Sequence, residues 1–164
     1  MIDDAAQYIS TELPGQPLVK QSDHQQLLAV APIKVSGFRE PERFVSALES
    51  IQGKLMESRA ITDSFVVINT TTTDADSILA TVTGSTTITD PRRRTGSTSA
   101  AYRPEDVFTL SGDFFQAESG NGGKDYRLLV KVNHPQSRRQ LLSREFRRTF
   151  VWDGTQGRWT PAHD

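Results

Sequence analysis

The side chains able to do chemistry are few and scattered. His24, His134 and His163 are the only imidazoles, and the chain has no cysteine. Disulfide scaffolds, thiolate metal sites and cysteine nucleophiles are therefore excluded. No histidine has a second histidine or a carboxylate three or four residues away, the spacing that pairs metal ligands on a helix. All three read as exposed histidines in loops, a turn and the chain end. The patterns Gly-x-Ser-x-Gly, Ser-x-x-Lys and Gly-Lys-Ser/Thr are absent. Gly120-Asn121-Gly122-Gly123-Lys124 has the look of a phosphate loop but lies between two expected strands, where no helix dipole assists its amides. A hairpin turn explains it better. Asp74-Asp76 and Glu105-Asp106 are close carboxylate pairs, each explained as a helix start or a turn. A carboxylate pair assembled by folding stays open at this point.

Arginine is the more clustered chemistry: Arg92-Arg93-Arg94, Arg138-Arg139 and Arg147-Arg148. The whole chain carries a net charge of −1, yet residues 91–148 hold 12 Lys/Arg against 6 Asp/Glu. One face is therefore expected to be basic. Nucleic-acid binding would want exposed aromatics among these cations. Phe146 and Phe150 flank Arg147 and Arg148 but suit a core better, so an acidic protein partner fits the local charge at least as well.

The elements that must position these groups follow from hydrophobic spacing. At 164 residues the chain suits one domain, large enough to bury about 70% of its unfolded surface without a staple. We divide it into an N-terminal helix and connector (1–26), a globular α/β domain (27–153) with a Thr/Ser-rich loop at 70–101, and a C-terminal tail (154–164). Asp3 to Leu13 reads as a short helix with Ala6, Ile9 and Leu13 on one face, stopped by Pro14-Gly15. Leu27 to Val35 reads as one buried strand, with Pro32 favouring an edge or a bulge. Phe44, Leu48, Ile51 and Leu55 mark one face of a helix that starts near Pro41 and ends near Ser58-Arg59. Phe65 to Ile68 follows at once as a strand, so the three form a crossover with parallel strands.

From Thr70 to Ser99 half the residues are Ser or Thr. Asp74 to Val82 can form a short helix there, and 90–96 reads as a loop. Val107 to Phe114 and Tyr126 to Val132 then alternate as a half-buried antiparallel pair. Leu141 to Trp152 is ambiguous. Leu142, Phe146 and Phe150 have helical spacing, and as a strand the same face would also hold Arg144 and Arg148. The period alone favours a helix.

The order of elements, together with Tyr102-Arg103-Pro104-Glu105-Asp106-Val107-Phe108 and Tyr126 to Arg139 around the turn Asn133-His134-Pro135, resembles the LpoB-like lipoproteins, outer-membrane activators of peptidoglycan synthases. It is similar as well to the related curli-secretion and TolB amino-terminal type domains. The resemblance implies an α+β fold: a mixed four- to five-stranded sheet, with a strand–helix–strand crossover, an antiparallel three-strand meander, and helices packed on the sheet. It makes Leu141 to Trp152 a strand, with a bulge reconciling its phase. It implies a non-enzymatic periplasmic domain without cofactor, tied to the outer membrane by a lipid anchor outside this sequence. The domain would dock on a class A penicillin-binding protein and regulate it. A structural part of an envelope secretion or assembly apparatus is the alternative on the same fold. Arg92, Arg93, Arg94, Tyr102 and Arg103, on the irregular basic excursion, are the candidate partner contacts. There is no lipobox cysteine here, and neither nucleic acid nor direct membrane insertion is expected.

Overall fold

The computed structural model describes residues 1–38, 42–83, 102–118 and 123–162, with 42–48 and 118 described by backbone alone. Helix α1 (Ile2–Glu12) opens the chain. Ala5, Ala6, Ile9 and Leu13 recur along one side of it and are all buried. Burying Ile9 and Leu13 stabilises the fold by about 1.5–3 kcal/mol each. The connector after it is not wholly irregular. Pro17, with its φ already helical, starts the single turn α2 (Pro17–Lys20), and Val19 seats that turn on the core.

Strand β1 (Gln26–Val30) is buried at every residue. The expected continuation through Val35 is broken at Pro32, which has no N–H for the ladder. Pairing resumes as β2 (Lys34–Ser36), and both strands run parallel to β4. Helix α3 (Glu42–Glu57) carries the expected apolar stripe. Ile51 and Leu55 are fully buried, while Phe44 and Leu48 lie outside the described side chains. A further turn, α4 (Arg59–Ser64), is interposed before β3 (Phe65–Asn69), and its Ile61 is buried. Strand β3 pairs parallel with β1, as a crossover requires. Helix α5 (Ala75–Thr83) begins where Asp74 accepts a 2.8 Å bond from the Ser77 N–H.

After a 3-10 turn at Pro104–Asp106 come β4 (Val107–Glu118), β5 (Lys124–His134), β6 (Arg139–Asp153) and β7 (Arg158–Pro161). These four strands are antiparallel neighbours. The sheet order is β3-β1-β4-β5-β6-β7, with β2 beside β4. The fold is α+β, as expected, but the sheet has seven strands where four or five were expected. Pro32 splits one strand into two, and residues 158–161, read from sequence as part of a tail, add the edge strand β7.

The ambiguous segment is a strand. Val132 lies opposite Leu142 and Asn133 opposite Gln140, so Leu141 is the extra residue of a bulge. Helices α1, α3 and α4 cover one sheet face, where Ile9, Ile51, Leu55 and Ile61 meet Leu28, Phe108 and Val130. Helix α5 covers part of the other, with Ile78 and Val82 against Leu27, Ala29 and Val107. No described helix is long and apolar enough to cross a membrane.

Candidate functional site: an aromatic groove beside the edge strand

Side chains alternate across a strand, so one face of β4 to β7 carries Phe114, Leu128, Tyr126, Arg148, Phe150 and Trp159. Helix α1 covers this face only in part. At its amino-terminal end the sheet continues beyond it, leaving a groove of about 660 Å³ between Ile2 and the far ends of β4 to β7. Its lining is mainly apolar, with Asp3 and Arg148 as the charged side chains. Both are already paired, Asp3 with Lys54 at 2.6 Å and Arg148 with Asp4 at 3.3 Å.

The rings in and around the groove hold one another in place. Phe38 stacks on Phe114 with centroids 5.0 Å apart, and Tyr126 meets Phe150 edge-on at 5.5 Å. The outer rim is the β6–β7 hairpin, where Trp152 and Trp159 lie opposite each other in register, 5.6 Å between centroids. Trp152, Trp159 and Val151 are the exposed large apolar residues of the described chain, Trp152 at 54%. Lys124 sits 4.6 Å above the Trp159 ring and makes no ion pair among the described residues. A cation over an indole face is attracted by the ring's electrons and helps to keep the ring oriented.

The opposite face of the same strands is polar. The Asp125 carboxylate is buried there, bonded by the Arg147 guanidinium and by Thr149 Oγ1 at 2.6 Å, with Arg127 at 3.8 Å. The Thr149 hydrogen bond and the Arg147 charge hold its pKa below the ordinary carboxylate value, against the opposing effect of burial. Every charged member of this group has an opposite partner, which is the arrangement of a structural brace.

The predicted contact residues fall elsewhere. Arg92, Arg93 and Arg94 lie outside the described residues. Tyr102 is half-buried against the α5 side of the core, and Arg103 is exposed just ahead of the 3-10 turn. Both stand at the opposite end of β4 from the groove. The groove residues were missed by sequence reading because Trp159 belongs to a strand taken for tail.

Of the two described histidines, one departs from the expected exposed loops and turns. His134 is buried at the end of β5, 2.7 Å from Ser137 Oγ and 2.9 Å from the Glu105 carbonyl. The compact turn Pro135–Arg138, with Arg138 at φ 53°, folds back over it. His24 is exposed in the connector, as expected, with Nδ1 2.9 Å from Asp23 Oδ1 and Nε2 2.9 Å from Asp106 Oδ2. Ser22 Oγ is 3.4 Å from His24 Nδ1, but its proton goes to the His24 carbonyl at 2.9 Å. It is therefore not poised as a nucleophile. His163 lies outside the described residues. Among the described residues no three His, Asp or Glu side chains gather as metal ligands.

No family model and no curated protein matches this chain. Among solved structures, the LpoB C-terminal domain from Salmonella enterica is similar at 10% identity and a TM-score of 0.40, covering 89% of this chain and 96% of that one. A hypothetical protein from Chlamydia trachomatis is similar at 13% identity and a TM-score of 0.43, covering 79% and 74%. A lipoprotein from Neisseria meningitidis is similar at 10% identity and a TM-score of 0.34, covering 74% and 78%. At this identity and overlap the likeness concerns the fold alone and says nothing of function.

Proposed function

We propose that this chain is a non-enzymatic binding domain of the bacterial envelope that docks on a class A penicillin-binding protein and regulates it. The observation that carries the binding half of this reading is the aromatic groove with Trp152 and Trp159 on its rim. Exposed tryptophans beside an apolar concavity are the surface type that dominates protein–protein affinity once desolvated. The choice of partner rests on the sequence resemblance, as does a periplasmic, lipid-anchored location. Regulation of the synthase requires that the domain bind its active state more tightly than its resting state. The segment with Arg92, Arg93, Arg94, Tyr102 and Arg103 is proposed as a second contact, from its position at the basic excursion.

The test is a titration of the purified domain with the periplasmic region of a class A penicillin-binding protein, read by interferometry and by glycan polymerisation. Binding is expected to weaken at least tenfold in Trp159→Ala, equivalent to about 1.4 kcal/mol, with the circular dichroism spectrum unchanged. Absence of binding by the wild-type domain at tens of micromolar would overturn the reading. Replacing Arg92, Arg93 and Arg94 together tests the second contact; unchanged affinity removes it.

A further inference from the structure

We propose that His24 is a proton-operated clamp on the 3-10 turn that leads from the basic excursion into β4. The 3-10 turn is short, and its grip on the rest of the fold is specific. The Asp106 N–H closes it onto the Arg103 carbonyl at 2.9 Å. His134, from the end of β5, reaches the Glu105 carbonyl at 2.9 Å. His24, from the connector ahead of β1, reaches the buried Asp106 carboxylate at 2.9 Å. Two imidazoles from two different elements therefore hold consecutive residues of one turn.

Only one of them has a carboxylate on each ring nitrogen. A neutral imidazole has one N–H and one lone pair, whereas the imidazolium has two donors. With Asp23 Oδ1 and Asp106 Oδ2 both at 2.9 Å, the observed geometry is satisfied on both sides only by the cation. Loss of a proton turns one nitrogen into an acceptor facing a carboxylate. Keeping the proton on Nε2 retains the bond to buried Asp106 and expels Asp23, which is fully exposed and free to swing away. The charges around the clamp alternate: Arg103, whose field acts on Asp23, then Asp23, His24 and Asp106. Ser22 adds a neutral hydroxyl, and His134 is the other titratable group against the turn. Release of Asp23 therefore changes the field at Arg103, the last described cation of the excursion.

The direction follows from linkage. The hydrogen bond to Asp23, then that to Asp106, raise the His24 pKa above its ordinary value. The clamp's stabilisation is then complete below the ordinary imidazole value and is lost as pH rises through the higher folded value. The proposal concerns the domain alone and stands whether or not a synthase is its partner.

The test is a nuclear magnetic resonance titration of the isolated domain, following imidazole nitrogens and backbone amides from pH 5 to 9. At low pH both His24 ring nitrogens should carry protons. The His24 midpoint should lie above the ordinary value of about 6.5, and the amides of Tyr102, Arg103 and Asp106 should move with that midpoint. His24→Gln should abolish their movement. Asp106→Asn should lower the midpoint; should that variant not fold, the exposed Asp23→Asn makes the same comparison. A His24 midpoint at or below the ordinary value overturns the proposal, as do amides that stay still or that follow the titration of His134.

Discussion

The Arg144 guanidinium lies 5.0 Å from the ring centre of Tyr8, joining the middle of β6 to the middle of α1. Phe146 completes the contact, 5.3 Å from the same guanidinium and edge-on to Tyr8 at 6.0 Å. Four residues along β6, Arg148 reaches Asp4, one helical turn before Tyr8. The two arginines on the helix-covered face of this strand are thus both engaged by α1.

In a double-mutant cycle, Arg144→Ala and Tyr8→Ala should couple by about 0.5–1 kcal/mol, the range of a partly exposed cation–π contact. Urea unfolding of the four proteins measures it. Simple additivity would mean that the contact contributes nothing to holding the helix.

Asp125 should make the domain sensitive to acid. Its pKa is lowered in the folded state, so its stabilisation is present above the ordinary carboxylate value and is lost as pH falls through the folded value. Asp125→Asn should therefore have a lower urea midpoint than the wild type at pH 7, with the gap closing below about pH 4. A gap that is the same at both ends would assign the loss to packing instead of charge.

Two glycines should respond oppositely to alanine. Gly37 has φ +78°, and a Cβ there would meet the Gln116 carbonyl oxygen at 2.7 Å. Gly37→Ala should cost more than about 1 kcal/mol from the left-handed backbone alone. Gly53, inside α3, has open space around its missing Cβ, and Gly53→Ala should stabilise by about 0.5–1 kcal/mol. Thermal melts of both variants decide the matter.

Trp152 and Trp159 are the only tryptophans in the chain, so tryptophan fluorescence, excited selectively at wavelengths where tyrosine does not absorb, reports the groove rim alone. Emission should be that of solvated indoles in the free domain and move to shorter wavelength when a partner covers the hairpin. A bound complex with unchanged emission would place the contact elsewhere.

Much of the scaffold was legible because its residues obey simple periods. Ala6, Ile9 and Leu13 announced α1, and Tyr126, Leu128, Val130 and Val132 announced β5. Strand β6 was not legible from period, because a helix packs on it. Arg144 and Arg148 occupy positions where alternation demands apolar side chains, and their stems and charges are taken up by Tyr8 and Asp4, which are distant in sequence. The bulge at Leu141 shifts the phase once more. The groove was hidden for a different reason. Trp159 lies on a four-residue strand that has no pattern of its own and exists only because β6 extends far enough to pair with it. His134 looked like a turn residue, and its burial depends on the carbonyl of Glu105, brought there by the 3-10 turn.

The order of partners along the chain also sets when the structure can close. Strands β4 to β7 pair with their immediate successors across short connections, so their ladders need little loop closure. The ladder of β1 to β4 waits for everything between them to be made, whereas α1 packs first of all on α3 and only its sheet-facing contacts wait for β6. During synthesis α1 can therefore meet α3 well before the sheet surface that both helices cover exists. The meander closes on itself, and the helices reach it as partners of one another.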